Sequence, residues 1–287
     1  MNPYRDFVAE LERLVKEGKR FPLGGFEPPS RPTPSLDAPR ALVFSPHPDD
    51  ECIIGAYALR LQREAGMRIA NVAVTQGSNK ARQAARWDEL SAACEYLGFD
   101  LIGTVPGGLE RINPATRTAD RGHWDAAVDV VSRILADAQP AVVFFPHDAD
   151  WNSTHVGTHH LLMDALGRQP RDFTCHVVET EFWGAMSTPN LMVETTVDDL
   201  ARMMTALSFH VGEVQRNPYH LLVPAWMMDN VRRGSELVGG QGGAAPDFTF
   251  STLYRLRTWR DGDLHTIYTG GRALPAAANA ADAFRLR

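Results

Sequence analysis

From residue 41 onward, short apolar runs alternate with helical stretches, and this restricts the fold more than any other property of the chain. Ala41 to Ser45 reads as a buried strand running into a Pro-containing turn. Cys52 to Ala65 reads as a helix stopped at Gly66. Arg68 to Thr75, Leu101 to Val105, Ala141 to Phe145 and Thr174 to Thr180 read as further strands. Between them, Lys80 to Leu97, Trp124 to Ala138 and Val156 to Leu166 carry helical periodicity. The strands are apolar on both faces, so the sheet must be covered on both sides, which is the condition of a parallel sheet.

The expected class is therefore α/β: a Rossmann-like, mostly parallel sheet with helices on both faces, plus a C-terminal elaboration. Ahead of it, Phe7, Val8, Leu11, Leu14 and Val15 make an amphipathic helix of Asp6 to Lys16. Gly18 to Arg40 is rich in proline and glycine and should be irregular. The expected division is an extension over 1–40 and a main domain over 41–287 with its core at about 41–215. In the elaboration, Leu191 to Thr196 reads as a strand, Val197 to Phe209 as a helix and Phe248 to Trp259 as extended. Gly239 to Gly243 reads as a flexible loop.

Composition excludes several classes. Among 287 residues 44% are hydrophobic and the net charge is −6, so the chain is globular and has no electrostatic attraction for nucleic acid or an anionic membrane. No apolar run approaches the length of a membrane span, and the first twenty residues lack the core of a secretory signal. Cys52, Cys94 and Cys175 are odd in number and far apart, which implies reduced thiols and a cytoplasmic setting. Homo-oligomerisation stays open, with Pro22 to Pro39 as the segment an interface would use.

In a parallel α/β sheet, ligands collect at the carboxyl ends of strands. Two polar groups follow strands here. The first, Ser45-Pro46-His47-Pro48-Asp49-Asp50-Glu51, puts an imidazole and three acids within five positions, with prolines on both sides of His47. Helix capping explains one or two of the acids, but not the histidine. A His and an Asp three residues apart across a tight turn converge on one cation, while Asp49 points elsewhere. The second group, Pro146-His147-Asp148-Ala149-Asp150-Trp151-Asn152-Ser153-Thr154-His155, continues to His159-His160; four of the ten histidines fall in these positions. Nitrogen and oxygen donors without cysteine suit zinc in an open, catalytic coordination. The chain lacks the glycine signatures of dinucleotide and P-loop sites after its strands, and has no GxSxG elbow.

With Pro46 to Glu51 after a strand and His155 opening a helix, the sequence resembles the PIG-L/LmbE family of zinc-dependent N-acetylglucosaminyl deacetylases, most nearly its diacetylchitobiose deacetylase-like members. Arg86-Trp87-Asp88-Glu89, Glu181-Phe182-Trp183 with Pro189-Asn190, and Ala206-Leu207 with His210 and Gln215 echo it over about residues 41 to 215. The resemblance implies zinc held by His47, Asp50 and His155, with Asp49 as general base toward the activated water. It also implies a small amino-sugar substrate, contacted by Arg86, Asn152, Trp183 and His210. One departure stands out: Asn152-Ser153-Thr154-His155 occupies the place of the family's His-Pro-Asp-His, so Asn152 replaces a histidine and cannot shuttle a proton. Either His147, His159 or His210 substitutes, or zinc and Asp49 carry most of the chemistry, or Asn152 is only a helix-starting residue. Trp151, Trp183 and Trp226 are expected stacking surfaces for a sugar ring, unless they are core. Two rival readings remain: a metalloamidase of secondary or thiol metabolism, and a catalytically silent sugar- or metal-binding member.

Overall fold

Alternate residues of the first strand belong to opposite cores. Ala41 and Val43 pack with one hydrophobic cluster, Leu42 and Phe44 with the other. The fourth strand repeats this with Val142 and Phe144 against Val143 and Phe145. A two-sided apolar strand of this kind must be covered by helices on both faces.

The computed structural model describes residues 2–31 and 34–285. Pro32, within the proline-rich segment, lies outside them. Nine strands form one sheet: β1 (Arg40–Ser45), β2 (Arg68–Ala73), β3 (Asp100–Gly103), β4 (Val142–Pro146), β5 (Cys175–Thr180), β6 (Leu191–Glu194), β7 (Ser251–Arg260), β8 (Asp263–Thr266) and β9 (Arg272–Leu274). The helices are α1 (Pro3–Gly18), α2 (Ala56–Glu64), α3 (Gln83–Leu97), α4 (Pro114–Ala119), α5 (Arg121–Ala138), α6 (Ser153–Leu166), α7 (Val197–Ser208), α8 (Val211–Val214) and α9 (Val223–Leu237).

The sheet order is β3-β2-β1-β4-β5-β7-β6-β9, with β8 also on β7. The first five are parallel; β7 is antiparallel to both β5 and β6. After β3 the chain crosses back to lie beside β1, so strand order reverses between β1 and β4. The crevice beyond their carboxyl ends is where this topology seats ligands. The expected mostly parallel α/β sheet is what the structure shows. No helix among the described residues is long and apolar enough to cross a membrane, and the three cysteines are free and buried.

Two differences from the sequence expectation have physical causes. The helix expected over Cys52 to Ala65 is broken: a short 3-10 turn at Asp50–Cys52 precedes α2. The break falls at Gly55, whose φ is 91° and where a Cβ would collide with the Tyr254 hydroxyl and Thr252. Helix α9 was not expected, although Pro224 in its first turn is where proline is tolerated. The apolar face of α1 is left largely exposed, with Tyr4 78% and Phe7 58% accessible.

The C-terminal strands are tied to the parallel core by one buried cation. Arg60 of α2 is fully buried; it pairs with Glu64 at 2.9 Å and donates to the carbonyls of Glu194, Leu274, Pro275 and Ala278. Replacing Arg60→Ala orphans these acceptors. The expected loss is at least about 3 kcal/mol of unfolding free energy, read from denaturant midpoints; a loss below about 1 kcal/mol would show that the clamp does not hold the tail.

Candidate metal centre and its cleft

The turn after β1 brings His47 and Asp50 together through the backbone. Asp50 Oδ2 accepts the His47 N–H at 2.8 Å, and the His47 carbonyl accepts the Asp50 N–H at 3.3 Å. The same Oδ2 then lies 3.3 Å from His47 Nδ1. From the other side of the crevice, α6 supplies His155. Asn152 caps this helix: its side-chain oxygen accepts the N–H groups of Thr154 at 2.9 Å and His155 at 3.4 Å. The imidazole is thereby set on the first turn, facing β1.

His155 Nε2 lies 3.3 Å from both His47 Nδ1 and Asp50 Oδ2. The three donors thus form a nearly equilateral triangle. A tetrahedral zinc with bonds of about 2.0–2.1 Å has donor–donor edges of about 3.3–3.4 Å. The residues therefore fit a three-ligand centre with a fourth position open. Charge points the same way. Burial disfavours protonated His155, yet the Asp50 and Asp150 carboxylates outweigh it and raise its pKa to about 10. Asp50 is held below the usual carboxylate range by the two imidazoles despite its burial. The cluster selects for positive charge.

Asp150, five residues before His155, stands behind its imidazole. Its Oδ2 lies 3.5 Å from His155 Nδ1 and accepts the N–H groups of Trp183 and Gly184 at 3.2 Å; Oδ1 accepts that of Asn152 at 2.8 Å. A carboxylate behind a ligand imidazole fixes its tautomer and ring plane.

Asp49 sits beside the triangle in strained backbone, with φ at 118°. Its Oδ2 accepts the Tyr219 hydroxyl at 2.5 Å, and Oδ1 lies 3.8 Å from the Arg86 guanidinium. Burial and the Asp50 charge raise its pKa to about 6, against the pull of His210, Tyr219 and Arg86. Arg86 also donates to the Pro48 carbonyl at 2.8 Å, steadying the turn itself.

Other expected contacts fall elsewhere. His210 is fully buried; its Nε2 meets Glu51 Oε1 at 2.6 Å, and Glu51 Oε2 accepts the Asp49 N–H at 2.9 Å. It supports the Asp49 backbone from behind and lines neither cleft pocket. Asn152 spends its oxygen on the cap. His147 is fully buried, with its two nitrogens on the Gly184 carbonyl and the Ala149 N–H. His159 Nδ1 is engaged by the Pro146 carbonyl. The hydroxyl that donates to Asp49 is that of Tyr219, which the sequence did not single out.

Two pockets flank the centre. One of about 350 Å³ opens beside His47 and Thr154 and is lined by Ser78, Lys80, Gln83 and Asn113 among others. The second, about 240 Å³, lies against Tyr219 and Phe182 and is walled by Ile53, Trp183, Val223 and Trp226. Phe182 packs edge-on against His155 with ring centres 4.9 Å apart. Trp183 touches Trp151 on one side and Tyr219 on the other.

Backbone strain at Asp49 is separable from its carboxylate. Asp49→Gly and Asp49→Ala both remove the carboxylate, but only glycine relaxes a φ of 118°. The glycine variant is expected to be more stable than the alanine variant by about 1–2 kcal/mol in thermal unfolding; equal stabilities would mean the turn carries no strain.

Residues 42–166 match the family model described as PIG-L: GlcNAc-PI de-N-acetylase, a span that contains both halves of the donor triangle. The resemblance read from the sequence is thereby borne out. Among solved structures, N,N'-diacetylchitobiose deacetylase from Pyrococcus horikoshii is 17% identical with a TM-score of 0.56, covering 87% of this chain and 92% of its own. A deacetylase of the teicoplanin biosynthesis pathway is 16% identical with a TM-score of 0.55, covering 77% and 98%. The 4-carboxy-2-hydroxymuconate hydratase of Pseudomonas putida is 17% identical with a TM-score of 0.54, covering 76% and 95%. At these identities the structures share the fold; the hydratase shows that the fold alone does not fix the reaction. No curated protein matches the chain by sequence.

Proposed function

We propose, from the PIG-L match over residues 42–166, that this chain is a zinc-dependent hydrolase cleaving the amide of an N-acetylglucosamine-type sugar or glycoconjugate. The observation that carries this reading is the 3.3 Å triangle of His47, Asp50 and His155 with the Asp49 carboxylate beside it. Zinc held there would supply Lewis acidity, making water a nucleophile near neutral pH and polarising the amide carbonyl.

The protein's own groups then divide the work. Asp49 takes the proton of the attacking water. Tyr219 and Arg86 hold its two oxygens in place, and Glu51 grips its backbone N–H. The C–N bond of the tetrahedral adduct breaks as the nitrogen receives a proton, and Asp49, protonated in the first step, is the group placed to return it. This accounts for the absence of the family's distal histidine: no other histidine reaches the triangle, and the base serves both steps. Asp150 would favour the His155 tautomer whose Nε2 can take part in holding zinc. The hydroxyl and amide groups of the larger pocket suit the sugar, whose hydroxyls need partners once desolvated. Three buried, unpaired thiols support a reducing, cytoplasmic setting.

Metal content by mass spectrometry should give one zinc per chain, lost in His47→Ala and His155→Ala. Asp150→Asn should weaken zinc affinity by about 10–100-fold without unfolding the protein. Asp49→Asn should retain zinc while losing at least about a hundredfold in amine release from N-acetylglucosamine derivatives. Near-full activity in that variant would refute the base assignment, and a metal-free chain indifferent to both histidine changes would sink the centre itself.

A further inference from the structure

The two pockets differ in chemistry, and an amide has two sides. The pocket beside His47 offers Ser78, Lys80, Gln83, Glu110 and Asn113 to a polar group. The pocket beside Asp49 is walled by Ile53, Phe182, Trp183, Leu222, Val223 and Trp226, and its one side-chain hydroxyl, Tyr219, is committed to Asp49. A sugar ring there would find only the Trp183 and Trp226 indole N–H groups besides Tyr219, too few partners for its several hydroxyls. The tryptophans expected to stack on a sugar therefore face something apolar.

We propose that this second pocket is an acyl site, and that the preferred substrate carries a short aliphatic or aryl acyl group larger than acetyl on its amine. This rests on the amide-hydrolase reading above. Three observations converge on it. First, the pocket lies one side chain from the donor triangle: its wall residues Tyr219 and Phe182 meet the Asp49 carboxylate and the His155 ring. Second, its volume of about 240 Å³ is several times what an acetyl methyl fills; a single water takes roughly 30 Å³. Third, apolar side chains of its wall stay accessible, Leu222 at 52% and Trp183 at 42%, and Trp183 meets the exposed Trp151. An exposed, contiguous apolar rim marks a binding groove rather than a core. The carbonyl carbon then lies at the metal centre, the amine-bearing sugar extends toward Asn113 and Lys80, and the acyl tail runs over Tyr219 toward Trp226.

The test is amine release by the zinc-loaded full chain from glucosamine carrying N-acetyl, N-butyryl, N-hexanoyl or N-benzoyl groups. Each buried methylene adds roughly fourfold, so kcat/KM for butyryl should exceed that for acetyl on the order of tenfold. Leu222→Trp and Val223→Trp, which fill the pocket, should bring the butyryl-to-acetyl ratio to one or below; Trp226→Ala should move the optimum to a longer chain. Leu222 is exposed, so its replacement tests the pocket even if Val223→Trp fails to fold. Hydrolysis of acetyl at least as fast as every longer acyl group overturns the acyl site and leaves the amide hydrolase standing. No release from any of the four overturns the hydrolase reading, and the acyl site with it.

Discussion

Three consecutive carboxylates lie buried at the end of the first strand, and much of the tertiary structure answers to them. Asp49, Asp50 and Glu51 are 9%, 1% and 2% accessible. Charges in that environment persist only when paired or hydrogen-bonded. Each draws its partners from a different part of the chain. Asp50 meets His155 from α6 and His47 across the turn; Glu51 meets His210 at the end of α7; Asp49 meets Arg86 from α3 and Tyr219 from the turn before α9. The acids thus act as a hub on which the helices of both faces are registered, and the donor triangle is a by-product of that neutralisation.

The parts of this arrangement that could be read in advance are those encoded within a few residues. Two-sided apolar strands dictated the parallel sheet, and the carboxyl-end rule pointed to the polar groups after β1 and β4, which the fold brings together. The His47–Asp50 turn is a four-residue motif, so its convergence was visible as spacing. Tyr219 gave no such signal: it lies 170 residues from Asp49, inside a segment of ordinary turn residues. Asp150 stood in a conspicuous cluster, but its role depends on the N–H groups of Trp183 and Gly184, which no local pattern announces. His210 looked like a substrate contact because of its place in a family motif; only the packing of α7 shows it turned into the interior toward Glu51.

The same logic explains the errors in element boundaries. The helix expected from Cys52 satisfied every periodic rule, yet Tyr254 from the far strand β7 claims the space above Gly55. The elaboration built from β6, β7, β9 and α9 is therefore no ornament. It extends the sheet through antiparallel pairing with β5, supplies the Tyr254 hydroxyl that bends the chain ahead of α2, and places Val223 and Trp226 at the cleft.

The turn at Trp183 and Gly184 joins two regions that are otherwise separate. Its backbone N–H groups both donate to Asp150, whose carboxylate stands behind His155, while the Trp183 ring walls the apolar pocket. Gly184 is pressed so closely on Asp150 that a Cβ would lie 2.7 Å from its Cα. The contact leaves little slack. If the cleft holds a cation and a ligand as proposed, a shift of this backbone would reach both, and by linkage each would change the affinity for the other by the same factor.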